Sequence, residues 1–500
     1  MPALTIEMTK IVIGPEASRL LTQISHFLAS KDIPAFIVGG LVRDMLLGRD
    51  TADIDIAVDA DAPAVAREAA ACLGGAYVEL DDVNRIGRVV LPENKWQVDF
   101  TTLQGDITQD LARRDFTIDA MAAALDKSLK TITVNDIIDP FNGRQDLDRR
   151  LIRAVSDSVF TSDPARLMRA ARLAAELGFD IEEGTEKLIV NNSHLVTGVA
   201  GERIREELLR LLALPGAAGR LFYLDRLGLL TALFPELEPA RGVEQPKLHV
   251  WDVFDHSIQT VAAVEFVLRE SGCDFAGEDA LAAVPWSDKL RRHFDREISR
   301  GSTGRTMLKL AALLHDIAKP QTRTVDGERT RFLGHPDQGA AAAAAIMTRL
   351  RFSKREIQLV ALLIKYHLRP TQMSHEGLPT ARAVYRFFRD TGEVGIDLLY
   401  LCLADHLAAR GNTLDMAGWR EHTRETEYVL SRYPAAENQA APGNIFNGND
   451  VMQSLKLKPG PAVGELLEAL REARAAGEIA TRAQALKYLK RLFRERAGTN

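Results

Sequence analysis

Asp53 and Asp55, in the run TADIDIAV, are separated by one residue. On a strand that spacing turns both carboxylates to one face. Just upstream, FIVGGLVRD sets an apolar strand before the pair Gly39–Gly40 and then Arg43–Asp44. Glycines lack side chains, so backbone N–H groups there approach a phosphate chain closely. Two carboxylates beside a phosphate cradle suit Mg²⁺, which takes hard oxygen ligands and shares them with substrate phosphates. A DxD alone is more often a pair of solvated acids; the attached glycines and Arg43–Asp44 reverse that preference.

Arginines supply the complementary chemistry. In DLARRDFTIDAMA, residues 110–122, the adjacent Arg113 and Arg114 suit a triphosphate, because guanidinium forks hold phosphate oxygens in pairs. In DPARLMRAARLAAELGF, residues 163–179, Arg166, Arg169 and Arg172 recur every three residues and share a helix face with Asp163. Pro164 fits a first helical position, which makes Asp163 a natural N-cap. An acceptor beside a donor also matches cytosine, with its amino group next to N3, and adenine, with its amino group next to N1. Guanine and uracil present the reverse order, so one fixed Asp/Arg pair would accept C and A and reject G and U.

A second constellation lies in residues 249–406, which hold eight of the eleven histidines. Histidines this clustered argue for metal, and imidazole with carboxylate suits Mn²⁺, Fe²⁺, Ni²⁺ or Co²⁺. The order His256, His315–Asp316, His335, His367, Asp405 resembles the HD superfamily of metal-dependent phosphohydrolases. The resemblance implies that His256, His315, Asp316 and Asp405 hold one ion and that His335 and His367 add a second. Lys319, following the HD pair, would bind a substrate phosphate. His249, His293, His375, His406 and His422 are read as structural.

Elements must position these groups. Residues 16–30 have helical apolar spacing and are expected to pack on the strand entering Gly39, with His26 structural. A helix near 62–73 and strands near 76–80, 86–91 and 96–101 predict a small sheet with helices. Asp99, on the last of these strands, is either a third carboxylate facing Asp53 and Asp55 or a plain edge-strand acid. Residues 180–235 have few glycines and read as helical; 270–305 read as an insertion or long loop, and 433–444 as a linker. A chain of 500 residues exceeds one core, so two to four domains are expected. The net charge of −6 does not advertise a nucleic-acid binder, although a local basic face fits within an acidic total. Cys72, Cys273 and Cys402 show no CxxC spacing, which fits a reducing cytoplasm rather than a disulfide framework or zinc-thiolate site. The opening MPALTIEMTKIVIG has no secretory pattern and no stretch reaches about 18 apolar residues, so neither secretion nor a membrane span is expected.

GGLVRD with DID, RRDFTIDAMA, and DPARLMRAARLAAELGF followed by GERIREEL (201–208) together resemble the ordered motifs of class II tRNA nucleotidyltransferases, whose superfamily includes bacterial poly(A) polymerases. The similarity spans residues 30–210. It implies an α+β multi-domain chain: a polymerase-beta-type head with a small mixed sheet (1–155), a helical neck (156–235), the HD domain (236–432) and a helical tRNA-binding tail (443–500). By the same resemblance Asp53 and Asp55 hold the catalytic Mg²⁺. Gly39, Gly40, Arg43 and either Arg113 or Arg114 contact the nucleotide, and Asp163, Arg166, Arg169 and Arg172 form its pocket. The implied partners are tRNA, CTP and ATP, with the RNA 3′-hydroxyl attacking the α-phosphate. HD domains that follow the neck in this family can hydrolyse 2′,3′-cyclic or 2′-phosphates. The last unit resembles the family's tail in NGNDVM and KPGPAVG, and its Arg482, Lys487, Lys490, Arg491, Arg494 and Arg496 suit RNA phosphate.

The chain departs from the family pattern at Ser162, where an acid often stands, at Asp119, where Asn is usual, and at Asp99, where Glu is usual. The link QGDITQDLA is much shorter than the flexible loop of many CCA-adding members, and members that add only CC lack that loop. CCA addition is the leading expectation. Stopping at CC, adding only A, or extending poly(A) are its same-class alternatives. An HD phosphohydrolase with an inactive, RNA-binding head is the alternative from another class.

Overall fold

Between residues 35 and 138, short runs rich in Ile, Val and Ala pair into one sheet of seven strands: β1 (Ala35–Val38), β2 (Asp53–Val58), β3 (Ala76–Asp81), β4 (Ile86–Val90), β5 (Gln97–Thr102), β6 (Ala122–Ala124) and β7 (Ile137–Ile138). The computed structural model describes residues 14–51, 53–81, 85–92, 96–125, 133–246, 248–327, 329–373, 377–439 and 446–497. The strand order is β3-β4-β5-β2-β1-β6-β7. Only β2 and β5 run parallel; every other pairing is antiparallel. Ile54 and Ile56 are buried while Asp53 and Asp55 alternate with them, as the period of a strand requires.

Helices α1 (Pro15–Ser30), α2 (Gly40–Leu47) and α3 (Ala62–Leu73) surround the first strands, and α3 packs across β4 and β5. The apolar stripe of α1, Leu20, Leu21, Ile24 and Leu28, is buried. After β5 the chain makes the short helix α4 (Ile107–Leu111), closed by a capping box between Asp106 and Gln109. Then come α5 (Gly143–Arg149), α6 (Val159–Ser162), α7 (Arg166–Leu177) and α8 (Glu183–Asn192). Residues Met1–Val199 with Arg226–Ala232 form one compact unit, and Ala200–Asp225 with Leu233–Asn500 form another.

The second unit is helical. It contains α9 (Gly201–Ala213), α10 (Val253–Val267), α11 (Gly304–Leu314), α12 (His335–Arg349), α13 (Lys354–Tyr366), α14 (Ala381–Thr391) and α15 (Gly395–Arg410). Helix α10 packs on α11 and α15, and α13 on α11 and α12. Helices α10 and α15 are buried on nearly every side, so they lack the one-sided pattern of a surface helix. A ribbon of β8 (Arg323–Asp326) and β9 (Arg329–Phe332) stands between α11 and α12 in the chain. At the end, α16 (Gly448–Leu455), α17 (Pro461–Ala475) and α18 (Arg482–Ala497) share their own core around Val451, Leu466, Ala473 and Leu489.

Three sequence expectations need correction. Residues 270–305 are not a long loop: they form helices Glu278–Ala283 and Asp288–Asp295 and the strand pair 297–299 with 302–303. These elements are too short to show a period, yet Phe294 is fully buried and stacks on Trp286 at 6.1 Å. Residues 433–439 of the expected linker belong instead to the helix Met416–Gln439, and 440–444 lie outside the described residues. Asp163 does not cap a helix that begins at Pro164; α7 begins at Arg166. The residues before it form a tight turn, with N–H groups of Arg166 and Leu167 donating to the carbonyls of Asp163 and Pro164. The Asp163 side chain accepts from the Ala165 N–H at 3.2 Å.

Candidate functional site

Neighbouring strands of the head align a row of charges. Arg88 of β4 stands opposite Asp99 of β5, and Asp99 opposite Asp55 of β2. Asp99 is held by Arg88 through two hydrogen bonds of 2.7 Å, so the candidate third carboxylate is an arginine's partner beside the DxD pair. Asp53 is exposed and Asp55 half-buried. Burial lifts the Asp55 carboxyl to about 6, with the charge of Asp99 adding to the rise and Arg114 opposing it. A carboxylate raised this way, on the strand face it shares with Asp53, is one that a divalent cation would neutralise.

Gly39 lies at the mouth of this row, with φ of +72°. A Cβ there would come within 2.5 Å of Arg114 Nη1, the tip of a flexible side chain, and 3.2 Å of Asp55 Oδ2, and the positive φ is what calls for glycine. At Gly40 a Cβ would meet Arg43 at an ordinary 3.4 Å. The two adjacent arginines separate: Arg114 reaches over Gly39 towards Asp55, whereas Arg113 turns to Gln104 Oε1 at 3.5 Å.

Arg43 is engaged by acids, donating to Asp44 at 2.9 Å and to Asp119 at 2.7 Å. Arg169 pairs with Asp115 at 2.8 Å and lies 3.9 Å from Asp119. Arg166 donates to the Arg113 carbonyl at 2.9 Å and lies 3.8 Å from Asp163. Arg172 is buried and paired with Glu176 on its own helix. The three arginines of the α7 stripe thus have different partners. Asp115 and Asp119 join α2, α7 and the RRDFTID turn. Burial raises both carboxyls, but Arg169 and Arg166 outweigh it at Asp115 and leave that group low, while Asp119 stays raised. Sequence reasoning missed them as site residues; their signal was an acid directly after the arginine pair and one turn beyond it.

The HD constellation converges. His256 comes from α10, His315 and Asp316 from the end of α11, His335 from the start of α12, His367 from the end of α13, and Asp405 from α15. His256 Nε2 lies 3.0 Å from Asp405, and His315 Nε2 3.1 Å from Asp316 Oδ2. The other Asp316 oxygen faces His335 at 3.4 Å and His367 at 3.8 Å. Two donor groups result, His256/His315/Asp405 and Asp316/His335/His367, each with ligand atoms within 4.8 Å of one another. Backbone carbonyls at Ala312, Phe332 and Ile364 sit 2.8, 2.6 and 2.7 Å from Nδ1 of His315, His335 and His367, which fixes the proton on Nδ1 and turns Nε2 inward. Both ring nitrogens of His256, Nε2 of His315 and both oxygens of Asp316 are buried without a hydrogen bond. Nε2 of His256 and of His315, turned to Asp405 and Asp316 without a hydrogen bond, offer lone pairs of the kind a bound cation satisfies, and Asp316 itself ion-pairs with Lys319. Burial pushes His367 down to about 4 and also lowers His256 and His335, keeping these rings neutral and able to ligate.

Lys319 Nζ lies 2.6 Å from Asp316 and donates to Gln245 Oε1 at 2.6 Å. His249 stands edge-on to His256 at 5.2 Å, so it belongs to the rim of the centre rather than to a remote core. Gln245 carried no signal in the sequence. Among the histidines read as structural, His293 pairs with buried Asp397 at 2.7 Å and His406 stacks on His422 at 4.5 Å; His375 lies outside the described residues.

Comparison with known proteins matches residues 35–153 to the poly A polymerase head domain, 178–241 to a probable RNA and SrmB-binding site of polymerase A, and 253–410 to the HD domain. The A-adding tRNA nucleotidyltransferase of Deinococcus radiodurans is 36% identical over 472 residues, 93% of this chain and 97% of that protein. The CC-adding tRNA nucleotidyltransferase of Thermus thermophilus is 34% identical over 472 residues, 93% of this chain and 94% of that one. In fold, the chain is similar to the Thermotoga maritima CCA-adding enzyme solved with tRNA, with a TM-score of 0.60 at 22% identity over 96% of each chain. No helix among the described residues is long and apolar enough to cross a membrane. With its head, RNA-binding and HD segments in the family's order and relatives matched nearly end to end, this chain belongs to the class II tRNA nucleotidyltransferases, in the branch that carries an HD domain.

Proposed function

We propose that this chain adds CCA to tRNA 3′ ends from CTP and ATP with Mg²⁺ held by Asp53 and Asp55. The observation that carries the reading is the row of carboxylates opening beside Gly39 and Arg114, where a triphosphate finds space, cationic charge and a metal-binding edge together. Mg²⁺ bound there supplies Lewis-acid stabilisation to the phosphoryl oxygens and makes the 3′-hydroxyl a better nucleophile. Gly39 keeps the approach open and Arg114 holds phosphate oxygens. Asp163 with Arg166 reads the base, Arg169 and Arg43 brace the acids around it, and Arg172 stiffens the helix behind. The 3′ oxygen bonds to the α-phosphorus, the bond to the bridging oxygen breaks, pyrophosphate leaves, and the hydroxyl proton passes to solvent.

One observation favours a narrower reading. The link between β5 and Arg113 is occupied by capped α4, which leaves little of the length that a flexible loop needs. On that reading the enzyme stops at CC or adds only A. Incubation with CTP and ATP of transcripts ending at the discriminator base, at C and at CC decides: CCA on all three supports the main reading, and arrest at CC or use of CC ends alone supports the narrower one.

For the HD centre we propose hydrolysis of 2′,3′-cyclic or 2′-phosphates with Mn²⁺, Ni²⁺, Fe²⁺ or Co²⁺, carried by the two converging donor groups His256/His315/Asp405 and Asp316/His335/His367. Lys319 binds a phosphate oxygen. Turnover that needs a metal and is lost in Asp316→Ala supports this; equal turnover in both proteins overturns it.

A further inference from the structure

The β8–β9 ribbon is rooted at both ends in the HD centre. Lys319 precedes it and His335 follows it, with His335 Nδ1 2.6 Å from the Phe332 carbonyl and Lys319 Nζ 5.5 Å from the Phe332 ring. In its register Arg323 pairs with Phe332 and Val325 with Thr330, so these four share the face that Phe332 turns to Lys319. Thr324, Asp326, Arg329 and Arg331 share the other. Among the described residues of the ribbon, none is buried. Two-stranded hairpins are marginal in water, and this one also holds Val325 at 61% and the following Leu333 at 72% exposure. Beyond Lys319 and its partner Gln245, Leu248 is 65% exposed. Neither the metal donors nor the packing of the unit accounts for Val325 kept in water on the face that carries Arg323, while on the opposite face Arg331 lies 3.9 Å from Asp326.

Arginine beside apolar and aromatic surface matches a single-stranded polynucleotide, whose phosphates take the guanidinium groups and whose bases cover the apolar faces. We infer that the β8–β9 ribbon binds single-stranded RNA and delivers its phosphorylated 3′ end to the HD centre, making RNA termini rather than free nucleotides the preferred substrate. The inference rests on the phosphohydrolase reading of that centre.

The test uses the full chain with Mn²⁺. In one arm p-benzoylphenylalanine replaces Val325, and the protein is irradiated with a labelled oligoribonucleotide ending in a 2′,3′-cyclic phosphate. In the other, wild type and Arg323→Ala hydrolyse that oligonucleotide and 2′,3′-cyclic AMP. An RNA crosslink at position 325 is expected, together with a roughly tenfold fall in the ratio of kcat/KM for oligonucleotide over mononucleotide in Arg323→Ala. No RNA crosslink, or an unchanged ratio, overturns the ribbon's role, and if both substrates still turn over the phosphohydrolase reading survives. A crosslink without hydrolysis of either substrate keeps the ribbon as an RNA contact and removes the phosphohydrolase. Crosslinking to a second protein chain instead of RNA overturns the proposal and makes the ribbon a protein interface.

Discussion

Gly39 is where sequence, backbone and chemistry meet most closely. Its positive φ strains any L side chain, and a methyl group there would displace the tip of Arg114, 2.5 Å away. Gly39→Ala is expected to destabilise the fold by about 1 kcal/mol while lowering kcat/KM for CTP incorporation about 100-fold, because the displaced groups are those at the carboxylate row. Thermal melts and incorporation kinetics on one preparation check both. His406 gives a separate, pH-linked expectation. Burial, with the neighbouring His422 and Arg410, lowers its pKa to about 3, against about 6.5 in an unfolded chain. The folded state then binds fewer protons, so stability is full above about pH 6.5 and falls on acidification, by about 1 kcal/mol between pH 6.5 and 5.5. His406→Gln should flatten that part of the profile, which melts at the two pH values would reveal. At this scale the DxD pair and the histidines were legible, since types and spacing are local. That Arg114 rather than Arg113 reaches over Gly39 was not: a turn sets it, and both residues have the same chemistry.

Elements bring distant residues together, and there sequence reading is weakest. The alternation of DIDIAV predicts a strand, but only the parallel pairing of β2 with β5 sets Asp99 beside Asp55, and only β4 brings Arg88 to hold it. The helices near 16–30 and 62–73 announced themselves by period. Residues 270–305 did not, because their helices are too short to repeat a pattern and are fixed by tertiary burial of Phe294. Helix pairing at the tail makes a prediction of its own. Arg386 of α14 grips Glu472 of α17 through hydrogen bonds of 2.7 and 2.5 Å, and Arg389 adds contacts to Glu468 and Glu472. Glu472→Ala leaves two arginines facing each other across a lost carboxylate and should cost about 1–2 kcal/mol, more than an isolated surface pair. Chemical unfolding would show it, and the double variant with Arg386→Ala should recover part of the loss.

At the scale of the whole molecule, the two compact units carry different chemistry: the DxD pair on a strand in the first, imidazoles gathered around Asp316 and Asp405 in the second. Hard oxygen ligands suit Mg²⁺ and nucleotidyl transfer, whereas mixed nitrogen and oxygen ligands suit a transition metal and hydrolysis. The ordered motifs made this division legible from the chain alone, because each set is confined to its own stretch of sequence. The measurement that bears most directly on the central claim is incorporation of labelled CTP and ATP into tRNA transcripts with Mg²⁺ by wild type, Asp53→Ala and Asp316→Ala. Loss of incorporation in Asp53→Ala with retention in Asp316→Ala is the expected result; equal incorporation by wild type and Asp53→Ala would contradict it.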